Sequence, residues 1–173
     1  RLFHFKIEYM FREMRRKKQL LSAADTIAVL NRMTSGVLAL LGDNDYPYAV
    51  PISYVYHENT LYFHSALAGH KVDAIAQNSK ASFCVIEQDQ IVPEEYTTYF
   101  RSAIAFGKIS MVNDDVEKRT AIELLAEKYS PAQEEGRLKE IEKGFHHLCV
   151  IKLDIEHLTG KEAVELVRAG RQK

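Results

Sequence analysis

The chain has 173 residues, enough for one domain with a real core and too few for two comfortable ones. Its 23 Lys and Arg balance 24 Asp and Glu, and 46% of residues are hydrophobic, which argues against nucleic-acid binding as the main business. No apolar run reaches the roughly 18 to 20 residues of a membrane span, and the N-terminus lacks the apolar block and cleavage site of a signal peptide, so the expectation is a cytoplasmic protein with no membrane contact.

Residues Arg1 to Gln19 read as a basic arm ahead of a single domain over 20–173, with Arg12, Arg15, Arg16, Lys17 and Lys18 crowded together. The plain account is a solvated arm. A patch for nucleic acid or anionic lipid is the sharper one, but the run is short and carries no repeated pattern, so neither partner is expected. Met10 and Met14 are candidate natural starts. Ser22 and Asp25 have capping-box spacing, with Asp in place of the usual Glu or Gln, and Ile27, Leu30 and Met33 recur at helical spacing. They predict a first helix to about Met33. The period then changes to two. Strands are predicted over Gly36 to Leu41, Pro47 to Tyr56 and Thr60 to Ser65, separated by the turns Gly42-Asp43-Asn44-Asp45 and His57-Glu58-Asn59, as an antiparallel meander.

His70 to Asn78 carries Val72, Ile75 and Ala76 on one side, the pattern of a short helix, and Ala81 to Glu87 follows as strand four. Gln88 to Glu95, acidic and containing Pro93, reads as a loop. Thr97 to Val112 is a long strand interrupted at Gly107, where a bulge or bend would let one strand serve two parts of a curved sheet. A helix follows over Asp114 to Tyr129, with Ala121, Leu124, Leu125 and Tyr129 inward, and Ser130-Pro131 ends it. A second short helix to about Glu142, a sixth strand from Phe145 to Leu153 and a short helix within Gly160 to Arg168 complete the chain. Cys84 and Cys149 lie in apolar strands and read as buried free thiols; without Cys-x-x-Cys spacing, and with His146 and His147 on opposite faces of a strand, no metal site is expected. Five or six antiparallel strands with irregularly inserted helices argue against a parallel doubly wound sheet. The fold class is mainly β, a small β-barrel with peripheral helices.

The stretch from Leu61 to Lys71 carries the chemistry. An alternating strand runs into Ser65, Gly69, His70 and Lys71, which open a helix. Unpaired N–H groups and the positive end of the helix dipole make that junction a place for a phosphate, with Lys71 and His70 adding side-chain donors. Alternation sets Leu61 and Phe63 in the core and Tyr62 and His64 on the other face. In strand two it sets Tyr48, Val50, Ile52 and Tyr54 against Ala49, Pro51 and Ser53, and the smaller, more polar row is taken as the ligand face. Pro51 in mid-strand implies an edge or a diverted backbone. A lone His on a strand is more often packed or solvated than catalytic, and the cluster by itself supports only anion binding.

Taken together, three blocks resemble the flavin-binding split-barrel proteins related to pyridoxamine 5'-phosphate oxidase, and within them the nitroimidazole-resistance branch. They are Asp45 to Tyr54, Leu61 to Ala66 with Gly69 and Lys71, and Tyr99 to Gly107 followed by Glu117-Lys118. The resemblance runs from about Met14 to the sixth strand. It implies a six-stranded antiparallel split β-barrel that binds FMN as a homodimer, with the cofactor in the cleft between subunits. It places the flavin ring along Val50, Pro51, Ile52 and Ser53, and the phosphate at Ser65 and Lys71 with Gly69 and His70. His64 stands close to the cofactor as the candidate catalytic residue, and Tyr99 and Ser102 come from the neighbouring subunit or line the same cleft. Where related oxidases often use an arginine at the phosphate, Lys71 and His70 keep the charge and lose bidentate geometry. The implied activity is an FMN-dependent oxidoreductase that reduces a small acceptor such as a nitroimidazole with electrons from NAD(P)H. No acid–base dyad is visible, which leaves open a non-catalytic module holding flavin, haem or a deazaflavin.

Overall fold

The computed structural model describes residues 11–170. The first ten residues of the basic arm lie outside the described part. Helix α1 (Ala23–Arg32) starts as its capping residues dictate: the Ser22 hydroxyl accepts the Asp25 N–H at 3.0 Å and donates to the Asp25 carboxylate at 2.6 Å. Val29 and Leu30 are fully buried beneath it.

Seven strands follow: β1 (Ser35–Leu41), β2 (Pro47–Ser53), β3 (Val55–His57), β4 (Thr60–Ser65), β5 (Lys80–Val92), β6 (Thr97–Met111) and β7 (Cys149–Glu162). They form one antiparallel sheet in the order β2-β1-β5-β6-β7-β4-β3. Its two edges, β2 and β3, are consecutive in the chain, separated by Tyr54 alone and joined by no ladder. The sheet therefore curls back on itself without hydrogen-bonded closure. This corrects the sequence reading in two ways: the described residues form seven strands rather than six, and the predicted meander is two hairpins, β1–β2 and β3–β4.

Tyr54 is the physical reason. Its ring is fully buried, its hydroxyl donates to the Leu30 carbonyl at 2.7 Å, and its N–H goes to the Tyr129 hydroxyl at 2.9 Å instead of to a strand neighbour. Tyr129 is also bonded to the Thr34 carbonyl, so one hydroxyl clamps both ends of the β1–β2 segment. The alternation of strand two runs unbroken through Tyr54, so periodicity alone could not reveal the break.

The predicted loop Gln88 to Glu95 is mostly strand. β5 continues to Val92, turns through Pro93–Glu95 with Tyr96 in the left-handed region (φ 52°), and pairs with β6 throughout. No residue from Glu87 to Val92 is buried, so polar side chains are tolerated there and mimic a loop in the sequence. Glu87 is the extra residue of a bulge, and its carboxylate pairs with Arg32 at 2.6 Å and Arg101 at 3.1 Å; Arg101 also reaches Glu162 at 2.9 Å. β7 begins at Cys149, later than expected, and extends to Glu162, so the last helix is α5 (Val164–Gly170). The bulge expected at Gly107 is present, with Glu156 the extra residue on β7.

The main core lies inside the curl, around Tyr54, Phe63, Phe83, Leu38 and Leu153. A second, smaller core of Val112, Ala121, Ile122, Ile141 and Val150 lies under α3 (Asp115–Tyr129) and α4 (Glu134–Gly144). The buried residues of α3 are Ala121, Ile122 and Leu125; Leu124 and Tyr129 sit at its margin. The helix packs against both the sheet and α4, whose Ile141 joins Ile122 in the smaller core.

Lys128 adds a pH dependence. Its Nζ lies 4.1 Å from the centre of the Tyr54 ring, and burial pushes its pKa down to about 8. The unfolded value is about 10.4, so between the two the folded state binds fewer protons. The lysine thus costs stability at pH 7, and the cost disappears as pH rises past about 10. Lys128→Met is expected to stabilise the protein by about 1 kcal/mol at pH 7, a figure reduced for solvent screening of a half-exposed group. The gain should vanish at about pH 10.5, by denaturant melts at both pH values. An equal gain at both would rule out charge burial as its cause.

Candidate functional site

Helix α2 (His70–Gln77) opens at Gly69, whose φ of 134° and ψ of 173° are accessible only to glycine. A Cβ added there would meet nothing within 4 Å, so the backbone angle and not lack of space requires the glycine. No side chain caps the helix, and the first N–H to find a helical acceptor is that of Asp73, bonded to the Gly69 carbonyl at 3.0 Å. Among the described residues the N–H groups of His70, Lys71 and Val72 have no hydrogen-bond partner. They border a recess of about 340 Å³ lined by Tyr48 of β2, His64 and Ser65 of β4, and the first turn of α2.

Lys71 Nζ donates to Ser65 Oγ at 3.3 Å, which brings together two residues expected at a phosphate. His70 has a different posture. Its ring stacks on Tyr48 with centroids 4.1 Å apart and planes 17° apart, and its Nε2 lies 3.9 Å from an Asp43 carboxylate oxygen. It therefore braces α2 against β2. Cys149 closes the back of the loop after β4, its thiol donating to the Ala66 carbonyl at 3.1 Å, and burial pushes that thiol's pKa up. Both cysteines are free and half-buried rather than buried.

On the other side of His64 lies an apolar cavity of about 480 Å³. Ile122, Leu125 and Ala126 of α3 and Ile141 of α4 make its walls with Leu148, and Ser53, Arg137 and Glu140 stand among its polar residues. His64 is exposed on the outer face of β4 and borders both spaces. Glu117 and Lys118 hold the walls in place. Glu117 accepts from Lys152 at 2.9 Å and from the Tyr62 hydroxyl at 3.0 Å, while Lys118 donates to the Phe145 carbonyl at 2.6 Å and lies 4.4 Å from that ring's centre. Sequence reasoning missed this cavity, because apolar stripes on α3 and α4 look the same whether they fill a core or leave a gap beside it.

On β2, Ala49 and Pro51 are exposed, while Val50 and Ile52 are half-buried against the main core. The edge position inferred from Pro51 is observed. Pro51, Val37, Cys84 and Ile104 stand in register across β2, β1, β5 and β6, and exposed Ile86 and Phe106 extend this apolar row over the outer sheet surface. Tyr99 and Ser102 do not line the recess of their own chain. Ser102 pairs with Lys161 near one end of β7, whereas Ser65 pairs with Cys149 at the other, and Tyr99 donates to Glu95 at 2.7 Å within the hairpin. Within one subunit β7 separates the two places by its full length. Among the described residues no His, Cys, Asp or Glu cluster could hold a metal, and no helix is long and apolar enough to cross a membrane.

The molecule is thus a curled antiparallel β-protein that carries a glycine-capped recess containing Lys71 beside an apolar cavity. The chain belongs to the pyridoxamine 5'-phosphate oxidase family, whose model matches residues 22–162. No curated protein matches it. Among solved structures, it is similar to a candidate 5-nitroimidazole antibiotic resistance protein from Bacteroides thetaiotaomicron, at 21% identity over 83% of this chain and 86% of that one, with a TM-score of 0.68. A FAD-binding protein from Mesorhizobium loti matches at 23% identity over 84% and 97%, TM-score 0.63. A FAD- and haem-binding protein from Mycobacterium smegmatis matches at 23% over 88% and 80%, TM-score 0.69. At these identities the likeness shows the fold.

Proposed function

We propose that this protein binds FMN and passes electrons from a reduced nicotinamide to a small acceptor such as a nitroimidazole, as a homodimer built on the family's split barrel. The observation that carries this reading is the convergence of Lys71, Ser65 and the uncapped first turn of α2 on one recess, which His64 connects to an apolar cavity. The residues fit the cofactor. A dianionic phosphate matches an ammonium, a hydroxyl and three unpaired N–H groups, and charge-assisted hydrogen bonds of about 1.5 to 3 kcal/mol each support micromolar binding after association costs. β2 is an edge strand, so backbone groups along Val50 to Ser53 are available to the polar edge of a flavin ring. The flavin-binding neighbours agree with the ligand class.

Bound flavin supplies the redox chemistry. The chain's own residues hold and orient: Lys71 and Ser65 fix the phosphate end, β2 fixes the ring end, and Ile122, Leu125 and Leu148 keep water from the acceptor. His64, at the junction, is the residue placed to touch both cofactor and acceptor. The apolar row through Pro51 and Ile104 would leave a flavin ring exposed unless a second copy covered it, which is the argument for the dimer. Tyr99 and Ser102 would then reach the site from the partner.

The test is anaerobic. Purified protein incubated with FMN should be yellow after gel filtration, bleach with NADPH and recover its colour with a nitroimidazole. A colourless protein overturns flavin binding. Flavin that stays bound and never bleaches assigns the site to a non-catalytic carrier.

A further inference from the structure

The hairpin of β5 and β6 runs out beyond the body of the sheet. β1 pairs with β5 only at Ser82 to Cys84 and β7 pairs with β6 only from Arg101 onward, so from Gln88 to Thr98 the two strands have only each other among the described residues. The stretch Gln88 to Val92 extends roughly 14 Å, and a two-stranded ribbon in water is marginally stable by itself. Its tip nonetheless exposes apolar side chains, Ile91 at 74% and Tyr96 at 98%. Ile91 stands opposite Thr98, and alternation along β6 puts Thr98 on the face of Ile104 and Phe106, so the ribbon prolongs the apolar outer surface. Its charges are of one sign: Asp89, Glu94 and Glu95, with no Lys or Arg between Gln88 and Thr98.

A second border of the same surface is basic. The Phe11 ring stacks on His157 with centroids 4.8 Å apart and lies 5.7 Å from Phe106, while Leu20 bridges to Lys161 and the Leu21 N–H donates to the Gly160 carbonyl at 2.9 Å. The segment between is therefore held beside β7 at both ends. It carries Arg12, Arg15, Arg16, Lys17 and Lys18, all exposed, and among the described residues only Lys17 forms an ion pair, with Glu13 at 2.6 Å. Among those residues no ion pair joins the ribbon to the basic segment of its own chain.

An apolar strip through Val37, Cys84, Ile86 and Ile104, bordered by an acidic ribbon in one place and a basic segment in another, is complementary to a copy of itself. A two-fold axis makes every contact twice, so one acid-to-base match serves both borders. A polyanion would suit the basic segment and be repelled by the ribbon. We propose that a second copy of this chain docks on the outer sheet surface, with the acidic ribbon of each copy against the basic segment of the other. The inference rests on the homodimer reading above and names the segments that hold the dimer in register.

Sedimentation of the full chain, loaded with FMN, at low and high salt tests it with two charge-reversed variants. Asp89→Lys with Glu94→Lys, and separately Arg15→Glu with Arg16→Glu and Lys18→Glu, should each weaken the dimer about 10- to 100-fold, because each places like charges together twice. An equimolar mixture of the two variants should associate about as tightly as the parent, since both contacts in the mixed pair are then attractive. Restored association also shows that both variants are folded. High salt should weaken the parent and narrow its difference from the variants. A dimeric parent whose variants dimerise unchanged, or whose variants weaken but are not restored by mixing, overturns the docking and leaves the homodimer standing. A monomeric parent overturns both, and a monomer that binds a single-stranded oligonucleotide through Arg15, Arg16 and Lys18 would make the basic segment a nucleic-acid patch.

Discussion

Gly107→Ala is expected to cost about 4 kcal/mol of folding stability, among the largest losses a single substitution produces. A Cβ at Gly107 would overlap the Asp154 carbonyl oxygen and stand 2.9 Å from that carbonyl carbon and 3.2 Å from Ile155 Cα. These are backbone atoms of the neighbouring strand, so no rotamer change relieves the clash. β6 and β7 must separate at the bulge, and their ladder runs from Arg101 to Met111. Gly136→Ala is the control. It lies in α4, where an added Cβ meets nothing within 4 Å, and alanine there should gain about 0.5 to 1 kcal/mol through helix propensity. Urea unfolding of both variants checks the pair, and a Gly107→Ala protein within about 1 kcal/mol of the parent would refute the close approach.

Lys71→Ala is expected to weaken FMN binding about 10- to 100-fold, the loss of one charge-assisted phosphate contact. Lys71 is half-buried and, among the described residues, its one side-chain hydrogen bond is to Ser65, so the melting temperature should barely move. Lys71→Arg keeps the charge and can offer two parallel donors, and should retain most of the flavin. His70→Ala should cost less flavin than Lys71→Ala, because the His70 ring is committed to Tyr48. The ratio of flavin to protein absorbance after gel filtration reads all three. Full flavin content in Lys71→Ala would move the phosphate elsewhere.

Local signals were legible where the chain's own neighbours settle the outcome. Ser22 and Asp25 are three residues apart and cap α1 as expected; Gly69 opens α2; Gly107 marks a bulge. Alternation in β4 put Leu61 and Phe63 inside and His64 outside, and all three are there. The hairpin over Gln88 to Val92 was illegible for the same local reason: an exposed ribbon selects neither face, so its residues carry no period that distinguishes it from a loop. Its pairing comes from β6, not from its own composition.

The mainly β class, the starts of α1, α2 and α3, and the cationic strand-to-helix junction at Ser65 to Lys71 are readable from the chain alone, because each depends on residues within a few positions of one another. The tertiary structure decided the rest. Whether strand two stays whole depends on a hydroxyl from Tyr129, 75 positions away from Tyr54. Whether the stripes of α3 and α4 leave a cavity beside His64 depends on how far Glu117, Lys118 and Lys152 hold those helices from the sheet. Whether Gln19 is a solvated arm residue or a buried amide without a partner depends on Leu21 finding Gly160. Such outcomes follow from contacts between distant segments, whose free energies no window of sequence contains.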